Sequence, residues 1–149
     1  MLIVGITGGV GAGKSSILQA LKEHCNCKIV LADDVGNLVK EPGQKCYSLI
    51  VELLGEDILQ EDKTIDKMKM AQRIFADQLL LNKVNEIIHP AVEEYILNDI
   101  ANERKAGNID VFFLEAALLI EAGYVPYLFF LPAGTPVNIS IPSSKVEIA

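Results

Sequence analysis

Eight residues near the amino terminus, Gly8-Gly9-Val10-Gly11-Ala12-Gly13-Lys14-Ser15, follow the spacing G-x-x-x-x-G-K-[ST]. Glycines lack a Cβ, so a backbone built from them can curl until successive N–H groups converge on an anion. The helix that opens beyond the loop adds the positive end of its dipole. In such a loop the lysine reaches the outer phosphates of a nucleotide and the serine hydroxyl ligates Mg²⁺. A carboxylate pair, Asp33-Asp34, stands further along. At the carboxyl edge of a parallel sheet one such carboxylate can orient an acceptor hydroxyl and take its proton as a phosphoryl group moves. On position alone Asp33 and Asp34 are equal candidates, and capping of the following helix is the competing role.

These groups need elements that bring them to one edge. Leu2 to Ile6 is a short apolar run before the glycines, and Ile17, Leu18 and Leu21 mark one face of a helix over Lys14 to Glu23; together they predict strand, loop and helix. Lys28 to Leu31 predicts a second strand, with Asp33 and Asp34 at the start of the next helix, where carboxylates are favoured. Glu41-Pro42-Gly43 breaks the chain, after which Tyr47, Leu49, Ile50, Leu53 and Leu54 keep helical spacing until Gly55. Asp66 is predicted to cap a helix through Phe75, and Asp77 another through Leu79, Leu80, Val84, Ile87 and Ile88. Pro90 is predicted to end or restart that helix, because its ring fits a first turn and not an interior. A further helix carries Val92, Ile96, Leu97 and Ile100 toward Gly107, and Asp110 to Leu114 reads as a third strand, apolar enough to be covered on both faces. Strands alternating with helices predict an α/β fold with a parallel sheet.

The 149 residues are 50% hydrophobic and 22% charged, the composition of one globular domain. A net charge of -7 argues against a partner in nucleic acid, whose phosphate backbone calls for surplus Lys and Arg. The apolar runs fall short of the roughly 18 residues that span a bilayer, and the first of them has no basic segment before it, so neither a membrane partner nor export is expected. The expected location is cytoplasmic. Cys25, Cys27 and Cys46 are odd in number and are expected as reduced thiols. His24-Cys25-Asn26-Cys27 lacks the second ligand pair of a zinc site.

The stretches GITGGVGAGKSS, LADDVGNLVKEPGQKCY, IDKMKMAQRIFAD, LNKVNEIIHPAVEEYI and FLEAALLIEAGY, taken in that order, resemble the successive blocks of the dephospho-coenzyme A kinase family over residues 1 to about 124. The resemblance implies a P-loop nucleoside triphosphate hydrolase-type fold, a parallel sheet flanked by helices. It implies one kinase domain over residues 1–149, with a helical acceptor-binding subdomain over about 42–107. The implied reaction moves the γ-phosphoryl group of ATP to the ribose 3′-hydroxyl of dephospho-CoA, the last step of coenzyme A synthesis. Carried over by position, Gly11, Ala12, Gly13, Lys14, Ser15 and Ser16 would wrap the ATP phosphates, with Lys14 stabilising their charge and Ser15 holding Mg²⁺. Asp33 would be the base, and His89, Leu118 and Leu119 would contact the acceptor. Leu31 stands where many family members have a further aspartate.

Beyond Tyr124 the texture changes. Residues 125–149 carry Lys145 and Glu147 as their charges and hold four of the six prolines, and no arginine follows Arg104. Leu128 to Leu131 can form a strand. The family's C-terminal lid, with an arginine worth about 10³ to 10⁵ in rate, is expected to be missing, as in a truncated or frame-shifted member. Another small-molecule kinase built on the same loop, or an ATP-binding module without turnover, are the alternative readings.

Overall fold

The computed structural model describes residues 1–6, 14–116, 129–131, 137–141 and 144–148. Contacts group the chain into two units, Met1–Ala32 with Asn98–Ala149, and Asp33–Leu97. The helices are α1 (Lys14–His24), α2 (Ala32–Leu38), α3 (Tyr47–Leu54), α4 (Lys67–Phe75) and α5 (Gln78–Ala106).

The first unit is built on a sheet of four parallel strands, β1 (Leu2–Ile6), β2 (Cys27–Leu31), β3 (Val111–Glu115) and β4 (Phe129–Leu131), in the order β2-β3-β1-β4. β3 runs in register with β1 from Leu2↔Val111 to Ile6↔Glu115, and with β2 from Cys27↔Val111 to Leu31↔Glu115. Ile6, Glu115 and Leu31 therefore end at one level, and the chain leaves β1 and β2 at the same edge. Val111, Phe112, Phe113 and Leu114 are all buried. Because successive side chains alternate in direction, both faces of β3 are covered. On one face Val4, Ile6, Val111 and Phe113 form a cluster with Leu21 of α1, flanked by Ile17 and Leu18, the apolar face that the helical spacing predicts. Lys28 of β2 donates to Asp99 Oδ1 at 2.6 Å and to Glu103 Oε1 at 2.8 Å on the last turns of α5. β5 (Val137–Ile141) and β6 (Ser144–Ile148) pair antiparallel in a separate two-stranded sheet.

The second unit is helical. Val35, Val39, Cys46, Ile50, Leu54, Ile58, Met70, Val84, Ala91, Val92 and Ile96 are its buried side chains. Its helix ends are fixed by the residues that the sequence marks. Asp66 Oδ1 accepts from the backbone N–H of Met68 at 2.9 Å and of Lys69 at 3.1 Å, and Asp77 Oδ1 accepts from that of Leu79 at 2.9 Å. Gly55 closes α3 at φ 93°, its N–H donating to Val51 O at 2.8 Å, a conformation that a side chain would strain.

The break expected at Pro90 does not occur: α5 is one helix of 29 residues with Pro90 inside it. Proline removes one N–H, and the carbonyl that loses its partner belongs to Glu86, four residues earlier. Glu86 and Pro90 are both exposed, so that carbonyl lies on a face open to water. Val84, Ala91, Val92 and Ile96 are buried on either side of the defect, and their packing holds the helix through it. Among the described residues, no helix is long and apolar enough to cross a membrane.

Candidate active site

The chain leaves the carboxyl edge of the sheet after β1 and again after β2. β1 lies between β3 and β4, so the phosphate loop starts from a strand paired on both sides. Gly11, Ala12 and Gly13 lie outside the described residues, and α1 begins at Lys14. Ser15 and Ser16 are exposed in its first turn. That turn contains no acidic side chain, while Lys22 and His24 occupy the last turn. The positive end of the α1 dipole thus meets no acidic side chain of its own first turn, which favours an anion at Lys14 to Ser16. The Ser15 hydroxyl offers a hard oxygen at that turn, the ligand type that Mg²⁺ takes together with phosphate oxygens. Among the described residues, no group of three or more His, Cys, Asp or Glu side chains could hold a metal ion.

Asp33 follows Leu31 of β2 by two residues and sits with Asp34 in the first turn of α2, both exposed. Asp33, Asn37 and Lys40 are spaced i, i+4, i+7 and so share one side of α2 and its closing turn, with Val35 and Val39 buried. Lys40 is half-buried. Loss of hydration pushes its ammonium below the ordinary lysine range, repulsion from Lys67 pushes the same way, and Cys46 and Asp33 pull against them. Asn37, Lys40, Gln60, Ile65, Lys67 and Met70 line a cleft of about 480 Å³.

Asn37 and Lys40 line that cleft, and Asp33 does not. His89 is exposed on α5 and does not line the cleft. Leu118 and Leu119 lie outside the described residues. Sequence reasoning passed over Asn37, Lys40 and Lys67. The i, i+4, i+7 spacing from Asp33 would have found the first two, whereas Lys67 comes from a different helix and carries no local signal.

A model of the dephospho-CoA kinase family matches residues 2–129. A dephospho-CoA kinase of Oceanobacillus iheyensis is 38% identical over 107 residues, which are 66% of this chain and 53% of that protein. Another, of Moorella thermoacetica, is 32% identical over 142 residues, 93% of this chain and 66% of the relative. A solved dephospho-CoA kinase from Campylobacter jejuni shares the fold at a TM-score of 0.71 and 19% identity, over 87% of this chain and 64% of that one. The chain spans about half to two thirds of the length of these relatives. With four parallel strands in place, a lysine and two serines opening α1, and an aspartate just past β2, the match over residues 2–129 has one reading: the chain belongs to the dephospho-CoA kinase family.

Proposed function

We propose that the chain catalyses transfer of the γ-phosphoryl group of ATP to the ribose 3′-hydroxyl of dephospho-CoA. The family match over residues 2–129 carries this reading. In the proposed step a bond forms between the ribose 3′-oxygen and the γ-phosphorus, and the bond from that phosphorus to the β,γ-bridging oxygen breaks, releasing ADP. Asp33 orients the hydroxyl and accepts its proton. Lys14 offsets charge on the outer phosphates, and the backbone of Gly11 to Ser16 cradles them. Ser15 would help hold Mg²⁺, which when bound neutralises phosphate charge. The helical unit Asp33–Leu97 would hold the acceptor, with His89 near it and Leu118 and Leu119 along its pocket. The reaction belongs in the cytoplasm, where thiols such as Cys25, Cys27 and Cys46 stay reduced.

A coupled assay of ADP release with ATP, Mg²⁺ and dephospho-CoA tests the reading. Acceptor-dependent release is expected, and Asp33→Asn should lower kcat by roughly 10²- to 10⁴-fold, the usual contribution of a positioned base, while ATP still binds. Release stimulated by a nucleoside but not by dephospho-CoA would overturn the acceptor. Tight ATP binding with no 3′-phosphorylated product would overturn the activity, and full activity of Asp33→Asn would remove Asp33 from its role.

A further inference from the structure

We propose that the cleft of the helical unit is a diphosphate-binding site, gripped by Lys40 from the end of α2 and by Lys67 from the start of α4. Its walls are fixed by bonds that need no ligand. On one side the Lys40 N–H donates to Asn37 O at 3.2 Å, and the flanking Val39 N–H donates to Val35 O at 3.0 Å. The Cys46 N–H closes onto Val39 O at 3.1 Å. On the other side Leu59 bridges Ile65, and the Gln60 N–H donates to Thr64 O at 2.8 Å. Asp62 Oδ1 fastens that turn by accepting from Thr64 N–H at 3.0 Å and from its hydroxyl at 2.6 Å.

Four charged side chains line the cleft, Lys40 and Lys67 with Glu41 and Asp66. The Asp66 carboxylate is engaged in capping α4, and Glu41, the other carboxylate at the cleft, forms no ion pair with either lysine. Two ammonium groups therefore line one cavity, and at the half-buried Lys40 both lost hydration and the neighbouring Lys67 charge disfavour the ammonium. A ligand carrying two linked phosphoryl groups reverses both penalties, because lysines act as mobile point charges on phosphate oxygens. Asn37, Gln60 and Thr64 add neutral hydrogen-bonding groups around the same space.

Position along α2 gives the site its use. Asp33 opens α2, and Lys40 follows seven residues later in the turn that closes the helix. A ribose whose 3′-hydroxyl meets Asp33 can extend its 5′ substituent toward Lys40, and dephospho-CoA bears a diphosphate at that carbon. This choice of occupant rests on the proposed function; the site itself does not.

The test is titration of inorganic pyrophosphate into the full chain, followed by NMR through the amides of Asn37 to Glu41 and Gln60 to Met70. Saturable shifts are expected there, with affinity weakened about tenfold or more in Lys40→Met and in Lys67→Met, the scale of one charge-assisted hydrogen bond. Lys40→Met removes a half-buried unpaired charge, so its urea midpoint is expected to equal or exceed that of the parent, which separates lost binding from lost fold. Shifts confined to residues around Lys14, or unchanged affinity in both variants, overturn the site. Dephospho-CoA added to the pyrophosphate-loaded chain is expected to displace it from this cleft. Failure to displace marks a free diphosphate as the occupant and overturns the acceptor assignment alone.

Discussion

Replacing Lys28 by methionine tests how β2 is tied to α5. The ammonium lies 2.6 Å from Asp99 Oδ1 and 2.8 Å from Glu103 Oε1, and these carboxylates, one helical turn apart, are 19% and 23% exposed. Methionine fills similar space but leaves two negative charges side by side near the carboxyl end of α5, where the helix dipole is already negative. Two hydrogen bonds to charged groups contribute about 1.5–3 kcal/mol each. Lys28 is 37% exposed, so solvent screening removes part of that, leaving about 2–3 kcal/mol in all. For a chain of this size the loss corresponds to a fall of about 4–12 °C in Tm.

Urea unfolding at pH 7, followed by circular dichroism, compares the parent, Lys28→Met, and the triple variant Lys28→Met/Asp99→Asn/Glu103→Gln. The triple variant is expected to recover at least half of the loss, because it removes the stranded charges along with their partner. In the parent, burial lowers the Lys28 pKa but the bonds to Asp99 and Glu103 outweigh it, so the net shift is upward. Its contribution is then complete below the ordinary lysine range and is lost as pH rises through the raised folded value. A single variant as stable as the parent, or a triple variant as unstable as the single one, would refute the reasoning.

Asp66→Ala removes both bonds at the start of α4 and is expected to lower stability by about 0.5–2 kcal/mol in urea titration. Pro90→Ala restores the missing helical N–H on an exposed face and should raise stability by up to about 3 kcal/mol, read as a higher urea midpoint; a lower midpoint would mean that the surrounding packing depends on the proline. Phe113→Ala opens a cavity in the cluster under α1 and should cost about 3–5 kcal/mol by the same measurement.

Much of the frame was legible because the signals were local. Ile3–Ile6 and Val111–Leu114 are continuous apolar runs, as strands buried on both faces must be. Asp66 and Asp77 sit where a side-chain oxygen can meet the exposed N–H groups of a helix start, and both do so. Pro90 misled because proline is a local rule and its outcome is tertiary: the freed carbonyl faces water while Ala91, Val92 and Ile96 stay packed. The glycine spacing and Asp33 stand out as candidates because both are short-range patterns. The cleft does not, because Lys40 and Lys67 meet only after α2, the Gln60–Asp66 turn and α4 have folded together, and neither residue type announces a partner by itself.

The place of β1 within its sheet has a kinetic corollary. An interior strand exchanges its amide protons only when its neighbours on both sides let go, so Val4 and Gly5, paired with β3 and β4 alike, should be among the last protons to reach solvent. β2, which ends the sheet beyond β3, should release its protons sooner. Deuterium uptake would then advance from the margin inward, and the root of the phosphate loop would stay immobile through every opening short of global unfolding. Under the proposed function, a nucleotide at the head of α1 would meet a support whose stiffness does not depend on its arrival.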